Sequence, residues 1–231
     1  MQQTGFYVEH CRPNCPKSAG NWQNLYNTLT TTLTALNLQQ TLENRFDPVL
    51  YHHLPKVCLA GCPNGCSQPN IKDFGVSGYV TPQITTAPCS GCCACVRSCL
   101  ENAISWQPSG IIIDPTRCLN CGDCLRACPS GTLIAGESGW QLRLGGRVGR
   151  HPQFAKLVGQ VPTDEEVVSW ISETLLDYIE NGRSQERLTN FLDRTTQTLN
   201  RLTRVNEQHA YESLKHTDAG NTTDKPLRTL A

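Results

Sequence analysis

The segment Cys89-Ser90-Gly91-Cys92-Cys93-Ala94-Cys95-Val96-Arg97-Ser98-Cys99 is answered by Cys118-Leu119-Asn120-Cys121-Gly122-Asp123-Cys124-Leu125-Arg126-Ala127-Cys128-Pro129. Both read C-x2-C-x2-C-x3-C. Three thiolates at that spacing wrap one corner of an iron-sulfur cube, and the fourth reaches a different cube. Paired zinc sites are the plain alternative, but zinc sites rarely carry a three-plus-one pattern twice in succession. Gly91, Ala94, Gly122 and Asp123 are small or turn-tolerant residues where the backbone must curl round a cluster.

This doubled pattern resembles a bacterial two-cluster ferredoxin. The resemblance assigns Cys89, Cys92, Cys95 and Cys128 to one [4Fe-4S] cluster, and Cys99, Cys118, Cys121 and Cys124 to a second. Between the runs, Gly110-Ile111-Ile112-Ile113-Asp114-Pro115 reads as a short strand and turn. Leu100 stands where a proline often follows such a run.

Outward from this core the composition is consistent with metal ligation. There are 14 cysteines in 231 residues, and none lies beyond Cys128. A disulfide framework would staple both halves. Met1 to His10 lack the cationic start and apolar stretch of a secretory signal. Acidic and basic residues balance at 20 each, which implies no basic face for nucleic acid. No apolar run is long enough to span a membrane. Oxygen-sensitive clusters without a signal peptide imply a reducing cytoplasm and an anaerobic host.

Five further cysteines precede the doubled motif: Cys11 and Cys15, then Cys58, Cys62 and Cys66. Gly61-Cys62-Pro63-Asn64-Gly65-Cys66 is a turn-rich loop after the apolar stretch Val57 to Ala60. Two thiolates cannot complete a cube, and the nearest unassigned donors are Cys11 and Cys15. Grouping Cys11, Cys15, Cys62 and Cys66 gives a third four-cysteine site. Cys58 and Cys93 are then left over. Cys58 reads as a small buried residue on a strand, or as a substitute for one member of the first pair; Cys93 reads as a spare thiol.

Cys62-Pro63-Asn64-Gly65-Cys66, the downstream Asp73-Phe74-Gly75, and Gly145-Gly146-Arg147-Val148-Gly149-Arg150-His151-Pro152 together resemble sirohaem-dependent sulfite and nitrite reductases. The ferredoxin-like insertion resembles the sirohaem subunit of anaerobic and dissimilatory sulfite reductases. The resemblance covers about residues 8 to 195 and implies a third [4Fe-4S] cluster sharing the Cys66 thiolate with sirohaem. It further implies six-electron reduction of sulfite, with nitrite as the alternative substrate. Cys66, Arg147 and Arg150 would be catalytic; Asn64, Lys72, Arg147, Arg150 and His151 would bind sirohaem or anion beside Cys66. A non-catalytic electron-transfer subunit without sirohaem is the other reading. The first cysteine pair is spaced C-x3-C, shorter than the C-x5-C usual in the family. The family's N-terminal half, rich in anion-gripping Arg and Lys, has no counterpart before Cys11, so a partner chain is expected to supply it. Electrons would come from a ferredoxin or a flavin-containing reductase subunit.

The expected fold is α+β. Residues 1–83 and 136–215 form a discontinuous sirohaem-reductase-type domain, 84–135 form the ferredoxin domain, C-terminal helices follow, and 216–231 form a disordered tail. Trp22, Leu25, Leu29, Leu33 and Leu36 predict a helix from about Pro16 to Asn37. Ser77 to Thr86 and Gly136 to Gly139 read as links to the insertion. Trp140 to Leu144 alternates as a half-buried strand. Thr163-Asp164-Glu165-Glu166 is a capping box ahead of a helix stopped by Gly182, and a second helix carries Leu188, Phe191, Leu192, Leu199 and Leu202.

Overall fold

The computed structural model describes residues 4–195. They form an α+β structure around a five-stranded sheet, β1 Tyr7–His10, β2 Lys56–Ala60, β3 Phe74–Ile84, β6 Leu133–Leu144 and β7 Lys156–Val161, in the order β1-β2-β3-β6-β7. The β1, β2 and β3 strands run parallel, and β6 and β7 close the sheet antiparallel. A separate hairpin, β4 Ile104–Gln107 with β5 Gly110–Ile113, lies in the insertion.

β2 reads apolar throughout because both faces are covered: Val57, Cys58, Leu59 and Ala60 are all essentially inaccessible. One face of the sheet carries helix α1, Trp22–Ala35, and α5, Asp164–Asn181. The α1 helix buries Trp22, Leu25, Leu29 and Leu33 at helical spacing. Its partner buries Val167, Ile171, Leu175 and Tyr178, and the Trp170 ring meets Phe74 edge-on at 5.3 Å. Each such fully buried side chain contributes roughly 1.5–3 kcal/mol. The capping box forms as expected: Thr163 accepts from the Glu166 amide while the Glu166 carboxylate accepts from the Thr163 amide.

The predicted helix from Pro16 to Asn37 is shorter than expected at its start. Residues 11–20 are loop, Asn21 caps α1 with its side chain, and the helix stops at Leu36. Asn37, at φ +50, turns the chain into a second helix, α2 Leu38–Arg45. The expected links to the insertion are instead the outer ends of β3 and β6, which pair almost continuously from Phe74↔Leu144 to Ile84↔Leu133. Gly136 and Gly139 are strand residues because this ribbon continues to the insertion. Gly182 does end α5, and a side chain there would collide with the Arg45 guanidinium and the Tyr178 carbonyl.

The insertion repeats one unit, with short helices α3 Ala94–Ser98 and α4 Asp123–Ala127. Each is preceded by a left-handed residue, Cys93 at φ +54 and Gly122 at φ +76. Its small core is Cys95, Ile104, Cys124 and Leu133 with Ile111 and Ile113 beside them. Residues to Phe191 make one compact unit, and 188–195 are helical. Leu199, Leu202 and the expected tail 216–231 lie outside the described residues.

Candidate functional site

The cysteines gather in three places. Cys11, Cys15, Cys62 and Cys66 line one cavity of about 400 Å³, with Glu9, His10, Arg12, Lys17 and Asn64 around them. Cys11 and Cys15 come from the loop after β1, and Cys62 and Cys66 from the loop after β2; parallel pairing puts both loops at the same sheet end. Glycines let the loops touch. The Gly61 carbonyl accepts from the Ala19 and Gly20 amides at 2.6 and 2.9 Å. A Cβ on Gly78, beneath them on β3, would stand 2.6 Å from the Gly61 carbonyl oxygen and 2.8 Å from the Gly20 nitrogen.

N–H groups aim at these sulfurs: the Gly61 amide at Cys11 Sγ (3.3 Å) and Asn64 Nδ2 at Cys66 Sγ (3.0 Å). Burial raises the Cys62 thiol, the Asn64 amide pulls it down, and charge on Cys15, Cys66 and Cys11 pushes it up again. The Lys17 amide and the Arg12 guanidinium lower Cys15. Thiolates that repel one another while N–H donors hold each in place are a donor set suited to a shared cationic cluster.

The insertion supplies the other two groups. Cys95 is raised by burial and by charge on Cys128 and Cys89. The Ala94 amide lowers Cys92, and charge on Cys128 opposes it. Cys118 is raised by burial, then by charge on Cys121 and Cys99; Cys124 is pushed to about 11 by burial, then by Cys118 and Cys121. Thus Cys128 faces the Cys89, Cys92 and Cys95 trio, and Cys99 faces the Cys118, Cys121 and Cys124 trio. Among the described residues, no three His, Cys, Asp or Glu side chains approach closely enough to hold a single ion. A tetrahedral zinc would need sulfurs about 3.8 Å apart.

The Cys99 group and the Cys62 loop meet. Cys99, Cys118, Cys121 and Cys124 line a cavity of about 210 Å³ together with Cys62, Pro63 and Asn64. Lys17 closes it by donating to Asp123 Oδ1 at 2.6 Å, and Arg126 donates to the same oxygen at 2.8 Å.

Lys72, Arg147, Arg150 and His151 come together, but away from the cysteines. They line a separate cavity of about 450 Å³ in which no cysteine appears. The sequence expected them beside Cys66 and Asn64. They lie instead at the opposite sheet end, because Gly145 and Gly146 follow β6 and pair with Asp73 and Lys72, just ahead of β3. Lys72 is ion-paired to Glu9, which lines the Cys66 cavity, so that pair stands between the two cavities.

Sequence reading missed Lys56 and Arg187 in this cavity, since each looks like an ordinary surface side chain; His52, a lone histidine in the sequence, lines it too. Cys58 is fully buried on β2 and donates to the Ser67 carbonyl at 2.9 Å. Burial pushes its thiol to about 11, and it lies outside the four-cysteine cavity, as a packed strand residue does.

Residues 15–208 match the family described as the nitrite and sulphite reductase 4Fe-4S domain. The chain belongs to that family. Its members are oxidoreductases with an iron-sulfur cluster. Among curated relatives, the coenzyme F420-dependent sulfite reductase of Methanocaldococcus jannaschii is 27% identical over 157 residues, covering 68% of this chain and 24% of that protein. One subunit of the anaerobic sulfite reductase of Salmonella typhimurium is 30% identical over 147 residues, covering 62% of this chain and 40% of the relative. The chain therefore spans between about a quarter and two fifths of these relatives' lengths. The crystal structure of dissimilatory sulfite reductase I superposes with a TM-score of 0.51 at 20% identity, over 82% of this chain and 50% of that one. That likeness establishes the sirohaem-reductase type of fold for this nitrite and sulphite reductase domain. No helix among its described residues is long and apolar enough to cross a membrane.

Proposed function

We propose that the chain is a subunit of a sirohaem-dependent sulfite reductase of the anaerobic or dissimilatory type. The carrying observation is the convergence of twelve cysteines into three groups of four, with Cys62 of the third group lining one cavity with the second group. Cys11, Cys15, Cys62 and Cys66 hold the cluster nearest the reacting centre, and Cys66, exposed at the rim, offers its thiolate outward. Sirohaem, when bound there, supplies an iron at which sulfite is held and reduced. Sulfite takes up six electrons and six protons to give sulfide and three waters.

This chain's own part is to relay and hold. Electrons enter at the Cys89, Cys92, Cys95 and Cys128 cluster, where Cys92 is exposed, pass to the Cys99 group and cross to Cys62. The Asn64 amide fixes Cys66 by its N–H to sulfur bond. Only Arg12 and Lys17 bring positive charge to the Cys66 cavity among the described residues. The tetrapyrrole's many carboxylates need more cations than that. We therefore assign the remainder of the grip to a partner chain, and electron delivery to a ferredoxin or flavin-containing subunit.

Anaerobic reconstitution with iron, sulfide and sirohaem, alone and with candidate partner chains, tests this. The expected outcome is about twelve irons per chain and a sirohaem Soret band that Cys66→Ser abolishes. About eight irons and no Soret band under any condition would establish a plain electron carrier instead.

A further inference from the structure

The basic cavity at the far end of the sheet is a site in its own right. Lys56 opens β2 and Ala60 closes it just before Cys62, which places about 13 Å of strand between the two ends at 3.3 Å per residue. Lys56, Lys72, Arg147, Arg150 and Arg187 converge on this cavity, with His52 and His151 beside them. Asp73 is its single acid. It is almost fully buried, and its oxygens already accept from the Lys56 amide (2.9 Å) and the Thr189 hydroxyl (2.9 Å).

Other contacts show how the cations are held. Arg147 donates to the His151 carbonyl at 2.9 Å, which folds the Gly146–Gln153 loop so that Arg150 and His151 reach the cavity. Gly146 is needed for that fold: a Cβ there would stand 2.7 Å from the Asn70 and Lys72 carbonyl oxygens. Lys72 is engaged by Glu9. Lys56 lies over the Tyr51 ring at 4.9 Å. Burial, and after it neighbouring positive charge that includes Arg187 and Lys56, depresses His52 and His53. The cavity thus carries a positive potential that its own carboxylate does not cancel. Like charges gathered at one cavity cost stability, and a bound anion removes that cost.

We propose that this cavity binds an inorganic oxyanion of the sulfite, sulfate or phosphate class, at a site separate from the reacting centre. Arg150, Arg187 and Lys56 make the charged contacts. The inference needs neither the clusters nor the tetrapyrrole, so it stands apart from the reductase reading. The same oxygen chemistry could come from the rim carboxylates of a tetrapyrrole, and the test separates the two.

Isothermal titration of the chain with sulfate, phosphate and sulfite in turn, at low ionic strength, should show one saturable site. Arg187→Gln and Arg150→Gln should each weaken it about ten-fold or more, Arg187→Lys should restore part of the affinity, and Cys66→Ser should leave it unchanged. Melting supplies a second reading. Without oxyanion, Arg187→Gln should melt no lower than the parent protein; in saturating sulfate the parent should melt higher than the variant. A merely structural arginine would give the same difference in both buffers. Absence of saturable binding at millimolar sulfate, phosphate and sulfite overturns the proposal, as does binding indifferent to both arginine substitutions. If sirohaem loading abolishes oxyanion binding and the arginine variants lose sirohaem affinity, the cavity belongs to the macrocycle and the proposal also fails.

Discussion

At the scale of single residues, two leftover thiols show how position decides chemistry. Cys58 and Cys62 are four residues apart, yet the first is sealed on β2 against the Ser67 carbonyl while the second opens onto the four-cysteine cavity. With its folded pKa raised to about 11 from 9.0, Cys58 contributes stability that is complete below about pH 9 and lost as pH rises through about 11. Cys58→Ala should therefore lose less stability than the parent between those pH values, measured by urea unfolding, and leave the iron content unchanged. If iron falls, Cys58 is a ligand after all. Cys93 sits at the left-handed position that its repeat partner gives to Gly122. A non-glycine residue there is strained by roughly 1–2 kcal/mol, part of which glycine returns through its freer unfolded chain. Cys93→Gly should thus stabilise by about 0.5–1 kcal/mol with all clusters retained; a lower melting temperature would show that the thiol does more than occupy space.

Elements put these residues in place, and the sequence showed them unevenly. The doubled cysteine spacing, the capping box at Thr163 and the leucine stripe of α1 were legible because each follows a local rule of spacing or hydrogen bonding. The β3–β6 ribbon was not: Pro82, Gly136 and Gly139 read as breaks, and the outer ends are held as strands by each other across the insertion. The same limit hid where the basic residues gather, since Lys72 and Arg150 join Lys56 and Arg187, away from Cys66, only through parallel pairing and the Gly146 approach. One element contact carries the candidate cluster site, the packing of the 11–20 and 61–66 loops over Gly78. Neither the Gly61 carbonyl nor the Gly20 amide can retreat, because each is bonded to the other's loop. Gly78→Ala should push the two cysteine pairs apart, lowering reconstituted iron from about twelve to about eight per chain while both ferredoxin-type clusters persist. Full iron loading in that variant would mean the loops do not need this contact.

At the scale of the whole molecule, the proposed relay needs electrons to leave the insertion, and among the described residues a cavity brings Cys62 together with four of the insertion's cysteines. The cavity lined by Cys99, Cys118, Cys121, Cys124 and Cys62 is bridged by Lys17, which also lines the cavity of Cys11, Cys15 and Cys66. Lys17 is 62% exposed, so its pairing with Asp123 adds little to folding, within the roughly 0.2–1 kcal/mol of a surface ion pair. Its importance is geometric and electrostatic. In the proposed relay it is a positive charge between two cluster sites, favouring the reduced state of both, and it ties the Asp123 helix to the loop after β1. Lys17→Glu would set two carboxylates face to face, widen the gap and make each neighbouring cluster harder to reduce. The melting temperature should hardly move, whereas transfer from the reduced insertion to the third cluster, followed by rapid-freeze electron paramagnetic resonance after anaerobic reduction, should slow several-fold. Lys17→Arg should keep the parent rate, because it keeps both the charge and the reach to Asp123. An unaltered transfer rate in Lys17→Glu would exclude this contact as the route, and electrons would then have to leave the insertion through a surface that faces a partner.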